Sequence, residues 1–436
     1  MSIPADQREK EKPTQPLAPI PSNFREYMIS FGPGIVMVLS WLGAGDLVDM
    51  SVSGAHYGYN LMWGMVLALV LRYILVNVIS KYALTNVHQE TIIQGYNRLS
   101  KYLPLFFGIS SLLLAHFYAA YLIKGAGEAL LHLTNVGNTF FWSIIVVVAS
   151  LILVVKGIYN TVEITIKGVL ILMVISLVGS ALWVGPDIPA IAKGTVAFSV
   201  PENVGGVDTL VFVFSLIGAV AGSMSNLIYP YLFKEKGWQG PKYLKLQRYD
   251  LLFGVVMIII IDLAVWTLGA EVLYPKGLTV ESVSDMAKML TLTLGMFGGI
   301  LFYLGVLGAC FKTVIVYALG FGTLFVDAVH TTFPERAKKY EREYTKDPIY
   351  KLTLLVTVVS PLIWALPSMP GFVYLTIIVN AFQIILLPAV AIGLMVLTNR
   401  KDLLGEYANK WWENVLLLVL IGLTLWSTWH LIVSLF

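Results

Sequence analysis

Long apolar runs, separated by short polar stretches, recur from one end of the chain to the other. About eleven of them approach the ~20 residues that a helix needs to cross a bilayer. They are Ile29–Val52, Leu61–Tyr82, Leu105–Leu131, Phe140–Val155, Val162–Val184, Leu210–Phe233, Tyr249–Val272, Met296–Phe325, Tyr350–Leu366, Phe372–Leu397 and Val415–Phe436. Thr279–Leu290 instead reads as an amphipathic helix on the membrane surface. Two runs are interrupted. The first carries Trp41-Leu-Gly43-Ala44-Gly45-Asp46-Leu-Val-Asp49, the sixth Gly218-Ala-Val-Ala-Gly222-Ser223-Met-Ser225-Asn226. Glycine weakens a helix because it loses the most backbone freedom on ordering. Acids at bilayer depth are costly and usually face a polar pathway. Paired interruptions at equivalent places in two halves point to the central site of a transporter. The expectation is an all-α membrane protein built as a five-plus-five inverted repeat with broken first and sixth helices. Residues 1–28 read as a disordered cytoplasmic tail, 29–184 and 207–397 as the two repeats, and 398–436 as a linker and the eleventh helix.

Composition sharpens this reading. Of 436 residues, 57% are hydrophobic and 13% charged, against roughly 25% charged in a soluble domain. Mean hydropathy is +0.78. The single cysteine, Cys310, excludes an intrachain disulfide and a multi-cysteine metal site. Met1–Ser22 has no apolar core, so no cleavable signal peptide is expected. The net charge of +3 matters less than its placement. Lys and Arg gather in the tail and in the loops after the sixth, eighth and tenth helices, whereas Ala55–Asn60 and Pro367–Gly371 carry none. The positive-inside rule then puts the N-terminus in the cytoplasm and the C-terminus outside a plasma (inner) membrane. These basic loops read as topogenic charge, not as a nucleic-acid surface. No P-loop, Gly-x-Ser-x-Gly or zinc-protease His pair is present, so no enzyme and no cofactor is expected.

Two stretches carry a resemblance. Asn399-Arg-Lys-Asp-Leu-Leu-Gly405-Glu-Tyr-Ala-Asn409 and Gly54-Ala-His-Tyr-Gly-Tyr-Asn-Leu-Met-Trp63 resemble the NRAMP metal transporters, from about Gly32 to the end of the chain. The resemblance implies a LeuT-type fold and alternating access. The family's Asp-Pro-Gly-Asn motif falls on Gly43-Ala44-Gly45-Asp46, so Gly43 stands at the metal-binding aspartate and Asp46 at the asparagine. Its Met-Pro-His of the sixth helix falls on Ser223-Met224-Ser225, anchored on Asn226. The thioether that favours transition metals is absent from its usual place. The family's acidic pair in the third helix falls on Tyr121 and Lys124. The resemblance is to a divergent branch without the metal site, and it implies bicarbonate as cargo.

The remaining chemistry is read from the residues. Arg72, Lys124 and Lys312 lie inside apolar runs, where a cation is expensive unless paired or hydrated. They are either paired with Asp46, Asp49, Glu128 or Asp262, or they make the central cavity electropositive. Lys124 and Glu128 stand i,i+4 and suit each other; Lys312 could replace a coupling cation. At the breaks, half-helix N-termini offer free N–H groups. Gly43, Gly45 and Gly222 allow close approach, and Ser223 and Ser225 donate. This set suits a small anion such as bicarbonate, with Asp46 or Asp49 serving a co-transported Na⁺ or H⁺. His116 reads as a packed residue or a proton relay. Asn380 and Gln383 read as pathway groups or interhelical glue, glue being preferred for Gln383. Two alternatives stand beside the anion: a divalent cation, Mg²⁺ more than Mn²⁺, held by Asp46 and Asp49, and a non-transporting membrane sensor. A monomer is expected.

Overall fold

The computed structural model describes residues 17–30, 44–156, 159–204 and 208–433. Gly43 and the first half of the first interrupted run lie outside the described residues. A short helix, α1 (Phe24–Ser30), begins within the expected tail and runs two residues past it. The residues before it are bonded to a distant loop: the Ala18 N–H donates to the Gly237 carbonyl at 3.2 Å, and the Tyr243 hydroxyl to the Ala18 carbonyl at 2.5 Å.

The apolar runs are helices close to their expected bounds. They are α2 (Ala44–Tyr57), α3 (Met62–Thr85), α5 (Leu103–Thr134), α6 (Thr139–Lys156), α7 (Tyr159–Val184), α9 (Thr209–Ile217), α10 (Leu244–Leu268), α11 (Val283–Thr332), α12 (Pro348–Val359), α13 (Phe372–Gln383), α14 (Leu387–Thr398) and α15 (Trp411–Val433). Short helices α4 (Ile92–Asn97) and α8 (Ile188–Val196) lie between them. Among the described residues, nine helical segments are long and apolar enough to cross a membrane, and Thr139–Val154 is a shorter tenth. Their outward faces are apolar: Leu113, Val148, Ile175 and Leu418 are each at least half exposed, as lipid rather than water demands.

Local chemistry sets the boundaries. Thr91 and Gln94 form a capping box on α4. Asp208 opens α9 by accepting from the Leu210 and Val211 N–H groups at 2.9 and 3.2 Å. Asn135 ends α5 in the left-handed region. Within α11 the backbone leaves the helical region at Gly295, whose φ of 67° only glycine adopts freely, so the surface helix and the eighth span are two helices joined at that residue, as expected.

Two groups of helices result. In one, α2, α3, α9 and α10 pack on each other; in the other, α5, α6, α7, α11 and α12 do, with α5 against α11 the most extensive interface. α13 touches α9, α2 and α5, and α10 packs on α7 as extensively as on α2, so both contacts bridge the two groups.

A polar corner outside the membrane-spanning segments fixes the start of α12. Asp347 is fully buried. It accepts from Arg336 Nε and Nη2 at 2.7 Å each, from the Ile349 N–H at 2.9 Å and pairs with His330 Nε2 at 3.0 Å. Burial alone would raise its pKa, but the Arg336 fork, the Ile349 amide and His330 together outweigh burial and hold it at about 2. A lowered carboxylate contributes stability above its unfolded value, near 3.8, and loses it as the pH falls toward about 2. Asp347→Ala is therefore expected to lower stability by about 1–3 kcal/mol at neutral pH. In thermal unfolding of solubilised protein, the difference from wild type should shrink as the pH falls from 4 toward 2; a constant difference would contradict it.

Candidate ion site at the helix breaks

The sixth run breaks because its glycine-rich centre cannot hold an α-helix against its neighbours. After Ile217 the backbone widens into a π turn, Gly218–Gly222, then extends at Ser223 and resumes as a 3-10 turn, Met224–Leu227. A Cβ on Gly218 would lie 1.9 Å from the Asn380 carbonyl oxygen, so here the π turn and α13 cross backbone to backbone. Side chains satisfy the loosened groups. Asn226 Nδ2 donates to the Ala221 and Val220 carbonyls at 3.0 and 3.4 Å, and Ser223 Oγ accepts from the Ser225 N–H at 3.3 Å. Facing this break, α2 starts at Ala44 and carries Gly45 and Asp46 in its first turn.

Between the two lies a cavity of ≈ 20 Å³, room for about one water or a bare ion. Gly45 and Asp46 line it from α2, Arg72 from α3, Tyr118 and Tyr121 from α5, Ala219 and Ser223 from the break, Tyr317 from α11, and Asn380 and Gln383 from α13. Asp46 and Arg72 are 6% and 1% exposed, and their charges attract each other. Asp262, also buried, lies outside the lining and adds a second attraction to Arg72.

A hydrogen-bonded wall runs around one side. Ser215 Oγ donates to Asp49 Oδ1 at 2.9 Å and Asn380 Nδ2 to Asp49 Oδ2 at 3.0 Å. Gln383 Nε2 donates to Asn380 Oδ1 at 2.9 Å. The Tyr118 hydroxyl donates to Gln383 Oε1. Ser223 Oγ stands 3.4 Å from the Tyr118 oxygen and 2.7 Å from Ser225 Oγ.

Of the residues singled out in the sequence, Gly45, Asp46, Arg72, Tyr121 and Ser223 line this cavity, while Ala44, Gly222, Ser225 and Asn226 stay behind the lining. The structure corrects several expectations. Lys124 does not make the cavity positive: its Nζ donates to the Trp364, Met369 and Pro370 carbonyls at 3.2, 3.1 and 2.7 Å. Those bonds, rather than a direct pair with Glu128, hold it. Lys312 is buried in α11 outside the lining. Asp49 faces Ser215 and Asn380 rather than the cavity. His116 bonds Ser360 Oγ at 2.7 Å and accepts from Trp364 Nε1 at 3.0 Å, the packed reading. Gln383 binds helices together and also lines the cavity. Tyr118 and Tyr317 escaped the sequence reading, although tyrosines at mid-membrane depth, away from the interfaces they favour, are a usable signal. Among the described residues no group of three or more His, Cys, Asp or Glu side chains is placed to hold a metal ion.

The backbone crossing at Gly218 gives a prediction about stability. Gly218→Ala is expected to cost about 1–3 kcal/mol by overpacking, while Gly422→Ala on α15, with no neighbour within 4 Å, should be neutral or slightly stabilising. Thermal unfolding in detergent checks both; equal effects would contradict the crossing.

Known proteins give a consistent picture. The profile described as "Natural resistance-associated macrophage protein-like" (Nramp) matches residues 34–434. The divalent metal cation transporter MntH of Caldanaerobacter subterraneus subsp. tengcongensis is 22% identical over 426 residues, covering 93% of this chain and 94% of that protein. MntH of Listeria monocytogenes serotype 4b is 22% identical over 413 residues, covering 91% and 88%. Among solved structures, the Eremococcus coleocola manganese transporter in complex with an aromatic bis-isothiourea substituted compound superposes with a TM-score of 0.73 at 16% identity, covering 96% of this chain and 90% of that one. The nucleobase-cation-symport-1 family transporter Mhp1, in a closed conformation, gives 0.52 at 13% identity, covering 91% of each chain. None of these names is that of a bicarbonate carrier. The chain belongs to the Nramp family and is an integral, multi-pass membrane transporter of that type with a LeuT-type fold.

Proposed function

We propose that this transporter holds a divalent cation in the cavity between α2 and the broken segment after α9, and passes it across the membrane by alternating access. The observation that carries the reading is the Asp46 carboxylate, set in a wall whose other polar atoms belong to hydroxyl, phenol, amide and guanidinium groups. Hard cations such as Mg²⁺ take oxygen ligands, whereas thioether and imidazole groups, which favour softer metals, do not line this wall. The cavity of ≈ 20 Å³ suits one water or a bare ion. The names of the MntH relatives support the same class of cargo. Asp49, first read as a second ligand, is engaged by Ser215 and Asn380, so Asp46 is the ligating carboxylate. Arg72 keeps the site from accumulating negative charge and so keeps affinity moderate. The inside-negative potential favours entry of a cation by about 2.3 kcal/mol per charge per 100 mV, and coupling to H⁺ or Na⁺ would add to this.

A second reading rests on Arg72. A guanidinium in a water-poor cavity is a strong partner for a small oxyanion, and bicarbonate remains the anion to test. It lacks the support of Lys124 and Lys312, and the relatives' names do not favour it.

Uptake into proteoliposomes distinguishes the two. The protein is expected to accumulate Mg²⁺ in preference to Mn²⁺, and Asp46→Ala to lower that uptake roughly tenfold or more at equal incorporation. Accumulation of labelled bicarbonate with neither cation taken up would overturn the cation reading, and its loss in Arg72→Ala would establish the other.

A further inference from the structure

The wall has a direction, and one residue fixes it. Asp49 is fully buried on α2, one turn from Asp46, and both its oxygens accept, Oδ1 from Ser215 Oγ at 2.9 Å and Oδ2 from Asn380 Nδ2 at 3.0 Å. With Nδ2 so turned, Asn380 leaves Oδ1 to accept from Gln383 Nε2 (2.9 Å). Gln383 in turn offers only Oε1 onward, and the Tyr118 hydroxyl donates to it. With its proton so committed, the Tyr118 oxygen is left as an acceptor 3.4 Å from Ser223 Oγ, whose nearer partner is Ser225 Oγ at 2.7 Å. Each link follows from the one before, across α2, α13, α5 and the broken segment. The charged groups that act on Asp49 from its surroundings are Asp46 and Asp262; Ser215 supplies its second hydrogen bond.

We infer that Asp49 is a positioning residue: its carboxylate sets the direction of the relay Asp49–Asn380–Gln383–Tyr118, so that the Tyr118 and Ser223 protons are kept within the wall and not offered to the cargo. An amide relay reversed end to end would have Gln383 Nε2 donating to the Tyr118 oxygen, and the phenolic proton would be released toward the cavity. The direction seen keeps two O–H donors away from the ion, which suits a cation and disfavours an anion. The inference rests on the proposed use of this cavity but not on which ion fills it.

Transport kinetics in proteoliposomes test it, with each variant run on whichever of Mg²⁺, Mn²⁺ and bicarbonate the wild type accumulates. Asp49→Asn can present an amide nitrogen to Asn380 and so frees the relay to reverse. Gln383→Leu cuts it. Each is expected to change KM on the order of tenfold, the worth of one lost or misdirected hydrogen bond, with a smaller change in kcat. Combined, they should change KM no more than either alone, although Asp49 and Gln383 are joined only through Asn380. Asn380→Asp added to Asp49→Asn moves the obligate acceptor one link along and restores the direction at Tyr118, so KM should recover; with Gln383→Leu present the recovery should vanish. Additive KM changes, or a recovery that persists without Gln383, would overturn the relay. If bicarbonate is the ion accumulated, the cation reading fails while the same cycle still decides the relay. If none is accumulated, the cycle is read on the Tm of solubilised protein, where additive shifts overturn it and non-additive shifts support it.

Discussion

A helix broken inside a bilayer exposes N–H and C=O groups that have no water to turn to, and each unpaired group costs several kcal/mol. The arrangement of polar residues in this protein follows from that constraint. Asn226 spends its amide on the carbonyls freed by the π turn. Ser223 caps the 3-10 turn that follows it. Lys124 does the same service elsewhere, gathering three carbonyls where the helical segment begun by α12 ends and the chain turns toward α13. Polar groups in the membrane are thus divided between repairing the backbone and lining the cavity, and Ser223 does both.

The same division explains the charge of the site. Three intramembrane cations suggest a positive field when seen along the chain. In three dimensions Lys124 is absorbed by carbonyls, Lys312 lies outside the lining, and Arg72 faces Asp46 with Asp262 nearby. A cavity walled by one guanidinium and one carboxylate is nearly balanced. Selectivity must then come from the size of the space and from the direction of individual hydrogen bonds rather than from net charge.

Much of the fold was legible because bilayer thickness imposes a length on every apolar run, and glycine clusters flagged the breaks before any coordinates. Gly45, Asp46, Arg72 and Ser223 stood out for a related reason: each is a polar or small residue in a place where hydrocarbon would be cheaper, whereas Tyr121 was singled out only through the family resemblance. What was hidden depends on distant pairings. The partners of Lys124 are 240 to 246 residues away along the chain, whereas Glu128, four residues on, looked like the obvious match. The break at Gly295, by contrast, was legible, because the stretches on either side differ in hydrophobic period and the glycine between them takes a backbone conformation that ends a helix. Gln383 was read as glue, and it is, but glue that also lines a cavity cannot be recognised without knowing which face of α13 meets α5.

Gly218 ties these features into one mechanical unit. The Asn380 carbonyl rests directly on its backbone, with no side chain to act as a cushion, and the Asn380 amide is the second link of the wall around the cavity. A shift of the broken segment must therefore push on the residue that orients Gln383 and Tyr118. Opening the passage and re-setting the polarity of its lining become a single stroke, geared through one missing methyl group.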